Sequence, residues 1–173
     1  MLAERGAVVI SADEVARHVL DPGTDASVTV LALWPGAGSD GVVDRARLGR
    51  IVFSDPAELA ALETITHPAT RSLIVSQVAS HPDETVVVEI PLLRDWFDDE
   101  WVRVVVDAPD AVRVQRVLDR DSDLTADDVR TIMARQATRQ QWLMAADYVL
   151  DNGGGLAELD RQAARVWALI HDA

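Results

Sequence analysis

The sequence predicts an α/β protein with a parallel, covered sheet, and two observations carry that prediction. Short apolar runs rich in β-branched residues stand at 7–10, 85–90, 102–107 and 148–151, and stretches of helical periodicity separate them. The resulting order is strand, several helices, strand, strand, helices, strand, helix, which calls for parallel pairing with helices on the sheet faces. The long helical block after the first strand reads as a lobe beside the cleft.

Ala7-Val8-Val9-Ile10 is expected to be a strand buried on both faces, entered from Gly6 after a helical end at Met1–Arg5. Ser11 and Glu14 form an S-x-x-E capping box for a helix through about Leu20, which Asp21-Pro22-Gly23 ends. A helix over 25–33 follows, then a loop over 34–41. Residues 44–80 read as helices, with Asp55-Pro56 as an N-cap and N1 pair, and with His67-Pro68 closing one helix and opening the next. Later helices are expected at 111–118, at 125–144 in one or two pieces, and at 156–171. Residues 152–155 form a turn.

Composition narrows the function. Among 173 residues the net charge is −13, so duplex nucleic acid and anionic membranes are repelled. No Cys is present, which removes disulfides and thiolate chemistry and fits a reducing cytoplasm. His18, His67, His81 and His171 lack zinc-site spacing, and neither a secretory leader pattern nor a bilayer-length apolar run is seen. All 16 basic residues are arginine, so no step can use a lysine ammonium of this polypeptide.

Three features could carry chemistry. Asp13 follows the carboxyl end of the first strand, where ligands bind in open α/β sheets; an acid favoured by the helix dipole reads equally well. Arg113, Arg116 and Arg120 share one helix face, and Arg130, Arg135 and Arg139 follow. This density suits phosphate recognition or a solvated face paired with Asp119, Asp121, Asp123, Asp127 and Asp128. His67 is a ligand contact or part of a helix junction. The five tryptophans read as packing residues, and Gly153-Gly154-Gly155 as a turn.

The motifs, taken in order, resemble those of the dephospho-CoA kinase family. They are Val9-Ile10-Ser11-Ala12-Asp13-Glu14-Val15-Ala16-Arg17, Pro22-Gly23-Thr24, Asp44-Arg45 through Ile51-Val52-Phe53, Leu62-Glu63-Thr64-Ile65-Thr66-His67-Pro68, and Pro91-Leu92-Leu93. Gln115-Arg116 with Arg120-Asp121, then Ala146-Asp147-Tyr148-Val149-Leu150-Asp151-Asn152-Gly153, complete the series. Each is weak alone; their collinear order over nearly the whole chain is specific.

The resemblance implies a three-layer P-loop kinase-like fold with a helical CoA-binding lobe at 14–80 and a lid at 112–140. It implies transfer of the γ-phosphoryl of ATP to the ribose 3′-hydroxyl of dephospho-CoA, with Mg²⁺, in the cytoplasm. Asp13 matches the general base. Arg116, Arg120 and Arg139 match lid arginines on the ATP phosphates, and Arg17, His67, Pro91 and Leu92 match the dephospho-CoA site. Ser11 stands where the family has aspartate, and Asp95 near a family glutamate.

The family's opening strand and its G-x-x-x-x-G-K-[ST] are not among these residues. The resemblance predicts on the order of twenty further residues before Met1. Without that strand, two inner strands should lose their shared partner. The 173 residues alone are then expected to bind ATP poorly and to lack significant kinase activity. The alternative is a non-catalytic remnant that binds CoA or dephospho-CoA.

Overall fold

A computed structural model describes residues 1–93, 96–97 and 101–171. The chain divides into two compact units, one of Gly6–Pro91 and one of Met1–Arg5 with Leu92–Ala173. They are described in turn.

In the first unit, Gly6 takes a φ of 102° and turns the chain from a short 3₁₀ turn (Ala3–Arg5) into β1 (Val8–Ser11). Two hairpin strands, β2 (Gly38–Ser39) and β3 (Val42–Val43), come next in sequence, and β4 (Val86–Glu89) is the last strand of the unit. β1 and β4 run parallel, with Val8 opposite Val86 and Ser11 opposite Glu89. The expectation of burial on both faces fails at Val9, which is 47% exposed while Ile10 is 6% exposed. Successive strand residues point to opposite faces, and the described residues cover only the Ile10 side well.

The helices are α1 (Ala12–His18), α2 (Asp25–Leu33), α3 (Arg45–Val52) and α4 (Pro56–Ala79). α1 stops two residues short of its expected end. Val19 and Leu20 turn into the core, and the Thr24 hydroxyl donates to the Val19 carbonyl at 2.7 Å. Thr24 also caps α2, accepting from the Ser27 N–H at 3.1 Å. Val19, Ala26, Val30, Trp34, Leu48 and Val52 form the buried cluster, and Leu59, Leu62, Ile65 and Ala69 of α4 close it. The Trp34 indole N–H donates to Glu58 Oε2 at 2.6 Å, so this large apolar ring is buried without orphaning its donor.

Two expectations are corrected here. Residues 38–43 are not plain loop but an antiparallel hairpin, with Gly38 opposite Val43 and Ser39 opposite Val42. Asp40 (φ 53°) and Gly41 (φ 78°) make its two-residue turn, as an Asp-Gly pair favours. A Cβ on Gly38 would collide with the Val42 carbonyl, so the close approach of the two strands requires glycine there. His67-Pro68 does not separate two helices either, because α4 runs unbroken through Pro68. Proline interrupts the hydrogen-bond ladder at one place only. The flanking turns stay helical because their apolar side chains are committed to the core on one side and to buried Thr70 and Ile74 on the other.

In the second unit, β5 (Val104–Asp107) and β6 (Tyr148–Asp151) pair in parallel, Val104 opposite Tyr148 and Asp107 opposite Asp151. The helices are α5 (Asp110–Arg120), α6 (Ala126–Ala134), α7 (Arg139–Met144) and α8 (Leu156–His171). Thr125 and Thr138 open α6 and α7 with reciprocal capping boxes. Leu150, Leu159, Ala163 and Val166 form the buried cluster, with Leu2 packed against it. Arg5 grips Asp160 through both carboxylate oxygens, at 2.9 and 3.0 Å.

Each face of this ladder is covered over one strand only. Cross-strand partners Val105 and Val149 are 6% and 45% exposed, and Val106 and Leu150 are 57% and 5% exposed. α7 lies on β5 and α8 on β6. Among the described residues no helix is long and apolar enough to cross a membrane.

Candidate active site

The carboxyl end of β1 leads straight into α1, so the strand delivers Asp13 to the second position of a helix. The Ser11 hydroxyl accepts from the Glu14 N–H at 3.5 Å and caps that helix. Asp13 is exposed, and its carboxylate has no partner among the described residues. An acid placed in this way is free to accept a proton from a bound hydroxyl. Arg17 lies in the last turn of the same helix, and its carbonyl accepts from the Arg45 guanidinium. α1 packs on α4, whose interior carries His67. Asp13, Arg17, His67 and Pro91 thus belong to the first unit, whereas Leu92, which is 41% exposed, begins the second. Asp95 lies outside the described residues.

The arginines occupy the second unit. Its helices α5, α6 and α7 enclose a cleft of about 680 Å³, lined by Arg113, Val114, Leu118, Arg130, Met133 and Arg139 among others. Arg113 pairs with Asp110 at 3.3 Å and Arg130 with Asp127 at 2.7 Å, each one helical turn away. For Arg130 the paired-surface reading holds, whereas the partner of Arg113 is Asp110, a carboxylate that reading did not include. Arg116 and Arg120 are exposed on α5, have no partner among the described residues and do not line the cleft.

Arg139 is engaged differently. Its Nε donates to Asp107 Oδ1 at 2.8 Å and its Nη2 to Oδ2 at 2.6 Å, a bidentate pair. The Arg139 guanidinium holds the Asp107 carboxyl below its ordinary range, and Asp107 in turn raises Arg139. The Asp107 side chain is only 14% exposed. Reading the sequence for site residues missed Asp107, although its place as the last residue of a β-branched run is the signal that drew attention to the end of β1.

Among the described residues, no three His, Asp or Glu side chains come together as a metal site. The unpartnered cations of Arg116 and Arg120 suit phosphate oxygens.

Comparison with known proteins places the chain as a whole. The family model described as dephospho-CoA kinase matches residues 1–158. A dephospho-CoA kinase of Frankia casuarinae is 43% identical over 171 residues, covering 96% of this chain and 74% of that protein. A crystal structure of a Thermus thermophilus protein superposes with a TM-score of 0.79 at 32% identity, covering 96% of this chain and 86% of that one. The dephospho-CoA kinase from Campylobacter jejuni shares the fold, with a TM-score of 0.72 at 23% identity over 97% of this chain and 87% of that one. With a parallel-stranded α/β architecture and a family match over most of its length, the chain belongs to the dephospho-CoA kinase family.

Proposed function

We propose that these residues serve transfer of the γ-phosphoryl group of ATP to the ribose 3′-hydroxyl of dephospho-CoA, in the cytoplasmic synthesis of coenzyme A. The supporting observation is the unpartnered carboxylate of Asp13 at the carboxyl end of β1. In the reaction the 3′-oxygen bonds to the γ-phosphorus, the bond to the β-phosphate bridging oxygen breaks, and ADP leaves. Asp13 orients the hydroxyl and takes its proton. Arg116, Arg120 and Arg139 neutralise phosphate charge as it spreads in the transition state. Arg17, His67, Pro91 and Leu92 contribute to holding dephospho-CoA. Mg²⁺, if bound with ATP, would offset phosphate charge, and no cluster of His, Asp or Glu among the described residues would hold it by itself. Dephospho-CoA-dependent release of ADP tests the reading. Asp13→Asn should abolish it with the fold intact, and unchanged turnover would remove Asp13 from the chemistry.

The 173 residues contain no lysine and no G-x-x-x-x-G-K-[ST], so they lack the group that cradles ATP in P-loop kinases. We propose that assayed alone they transfer phosphate at least about 10³-fold more slowly than a polypeptide that includes such a loop. Joining a strand, loop and helix that carry G-x-x-x-x-G-K-[ST] from a relative to the 173 residues, and assaying with and without that addition, checks this directly. Equal rates would overturn it.

A second reading, a non-catalytic protein that binds CoA or dephospho-CoA, draws on one specific fact. All the acceptor-side candidates except Leu92 lie in one compact unit. Titration calorimetry with dephospho-CoA in the absence of nucleotide separates the two readings. Tight nucleotide-independent binding without turnover favours the second.

A further inference from the structure

Asp107 is the last residue of β5 and Arg139 the first of α7. Between them the chain leaves the sheet, runs through α5 and α6, and returns. The pair therefore joins the two roots of that excursion, where α7 lies on β5. Arg139 also lines the cleft that α5, α6 and α7 enclose.

The fork geometry is informative. Asp107 occupies Nε and Nη2 of the guanidinium, at 2.8 and 2.6 Å. A guanidinium has five N–H donors in one plane, so both on Nη1 and the second on Nη2 remain, and no described group takes them. A carboxylate that binds one edge fixes the orientation of the opposite edge. It also removes most of the rotamer freedom an arginine would otherwise lose on meeting an anion. The carboxylate is mostly buried, and the reciprocal cap of Thr138 and Gln141 fixes the start of α7. Both partners thus stand on ordered elements.

We infer that Asp107 is a positioning residue: it holds Arg139 by one edge so that Nη1 meets a phosphate oxygen of a nucleotide polyphosphate. This rests on the proposed role of Arg139 toward phosphate and goes beyond it in assigning Asp107 and the atom that makes contact.

The test is titration of tripolyphosphate, and in parallel ATP, into the chain and its variants, each checked for fold by circular dichroism and melting. Arg139→Gln should weaken binding about tenfold. Arg139→Lys should fail to restore it, because lysine keeps the charge and loses the fork. Asp107→Asn should weaken binding about three- to tenfold, and the double variant should be no worse than Arg139→Gln alone, since Asp107 acts only through Arg139. Asp107→Glu keeps the charge and displaces the guanidinium by a methylene. It should weaken binding at an unchanged fold, and so serves if Asp107→Asn does not fold. A lowered melting temperature with unchanged affinity makes Asp107 structural only and overturns the inference. Tighter binding by Asp107→Asn makes it a competitor of phosphate and does the same. Tripolyphosphate binding by Arg139→Gln as tight as by the wild-type chain overturns the phosphate role of Arg139 together with this inference.

Discussion

The two units are held together by different physics. In Gly6–Pro91 the main tertiary contacts are those of an apolar cluster, with single polar links from Trp34 to Glu58 and from Arg45 to the Arg17 carbonyl, while buried Ser27 and Thr70 are satisfied within one helical turn. In the second unit two bidentate arginine–carboxylate pairs, Arg5–Asp160 and Arg139–Asp107, tie distant parts of the chain, beside the Arg103 N–H bond to Asp147 at 2.7 Å. Shape dominates the first and charge geometry the second. That matches the work proposed for each: a nucleotide-linked pantetheine is largely a matter of shape, whereas polyphosphate is a matter of charge.

Substitution is the sharpest way to break this contrast. Trp34→Ala should cost the first unit about 3–5 kcal/mol, since it empties a filled core and strands Glu58. Denaturant unfolding would read that, and a loss below about 1 kcal/mol would mean the cluster is not the main support. Gly38→Ala should cost about 1–3 kcal/mol, because the new Cβ meets the Val42 carbonyl and the hairpin must open. Thr24→Ala, which removes the α2 cap and the hydroxyl bond to Val19, should cost about 1 kcal/mol by the same measurement.

Smaller effects belong to the second unit. The Asp107 and Asp160 carboxyls are both held below their ordinary range by hydrogen bonds from their arginines. A depressed carboxyl contributes stability that is present above the unfolded value of about 3.9 and is lost as pH falls through the lower folded value. Acid titration followed by near-UV circular dichroism should therefore show wild type and Asp160→Asn converging below about pH 4 and separating above it. A constant gap across pH would mean that the pair does not act through charge. The same gap should shrink in molar salt, where the screening length falls to about 3 Å.

How much of this was legible in the sequence follows from how local each signal is. β6, α2 and α8 match their expected bounds because periodicity, caps and turn residues agree there. The β2–β3 hairpin has two residues per strand, too few for alternation to register, and only Asp40-Gly41 marked it. Pro68 misled because a local rule, that proline breaks a helix, was outweighed by burial on both sides of it. Val9 misled because a β-branched run does not reveal which faces a neighbour covers. Motif order is what proposes Asp13 and the arginines as site residues. The Asp107–Arg139 pair joins residues 32 positions apart, and no spacing rule reaches that far.

Pro68 has a consequence for how α4 opens. With no amide hydrogen at residue 68, the Thr64 carbonyl has no donor at its usual place in the helical ladder. Helix fraying propagates from one intact hydrogen bond to the next, so a missing rung divides the cooperative unit. In deuterated water the amides before the gap, beside Leu59, Leu62 and Ile65, should exchange as one group. Those after it, around Ile74, should exchange as another, each with its own protection factor. One continuous rod of 24 residues would thus behave in solution as two kinetic segments.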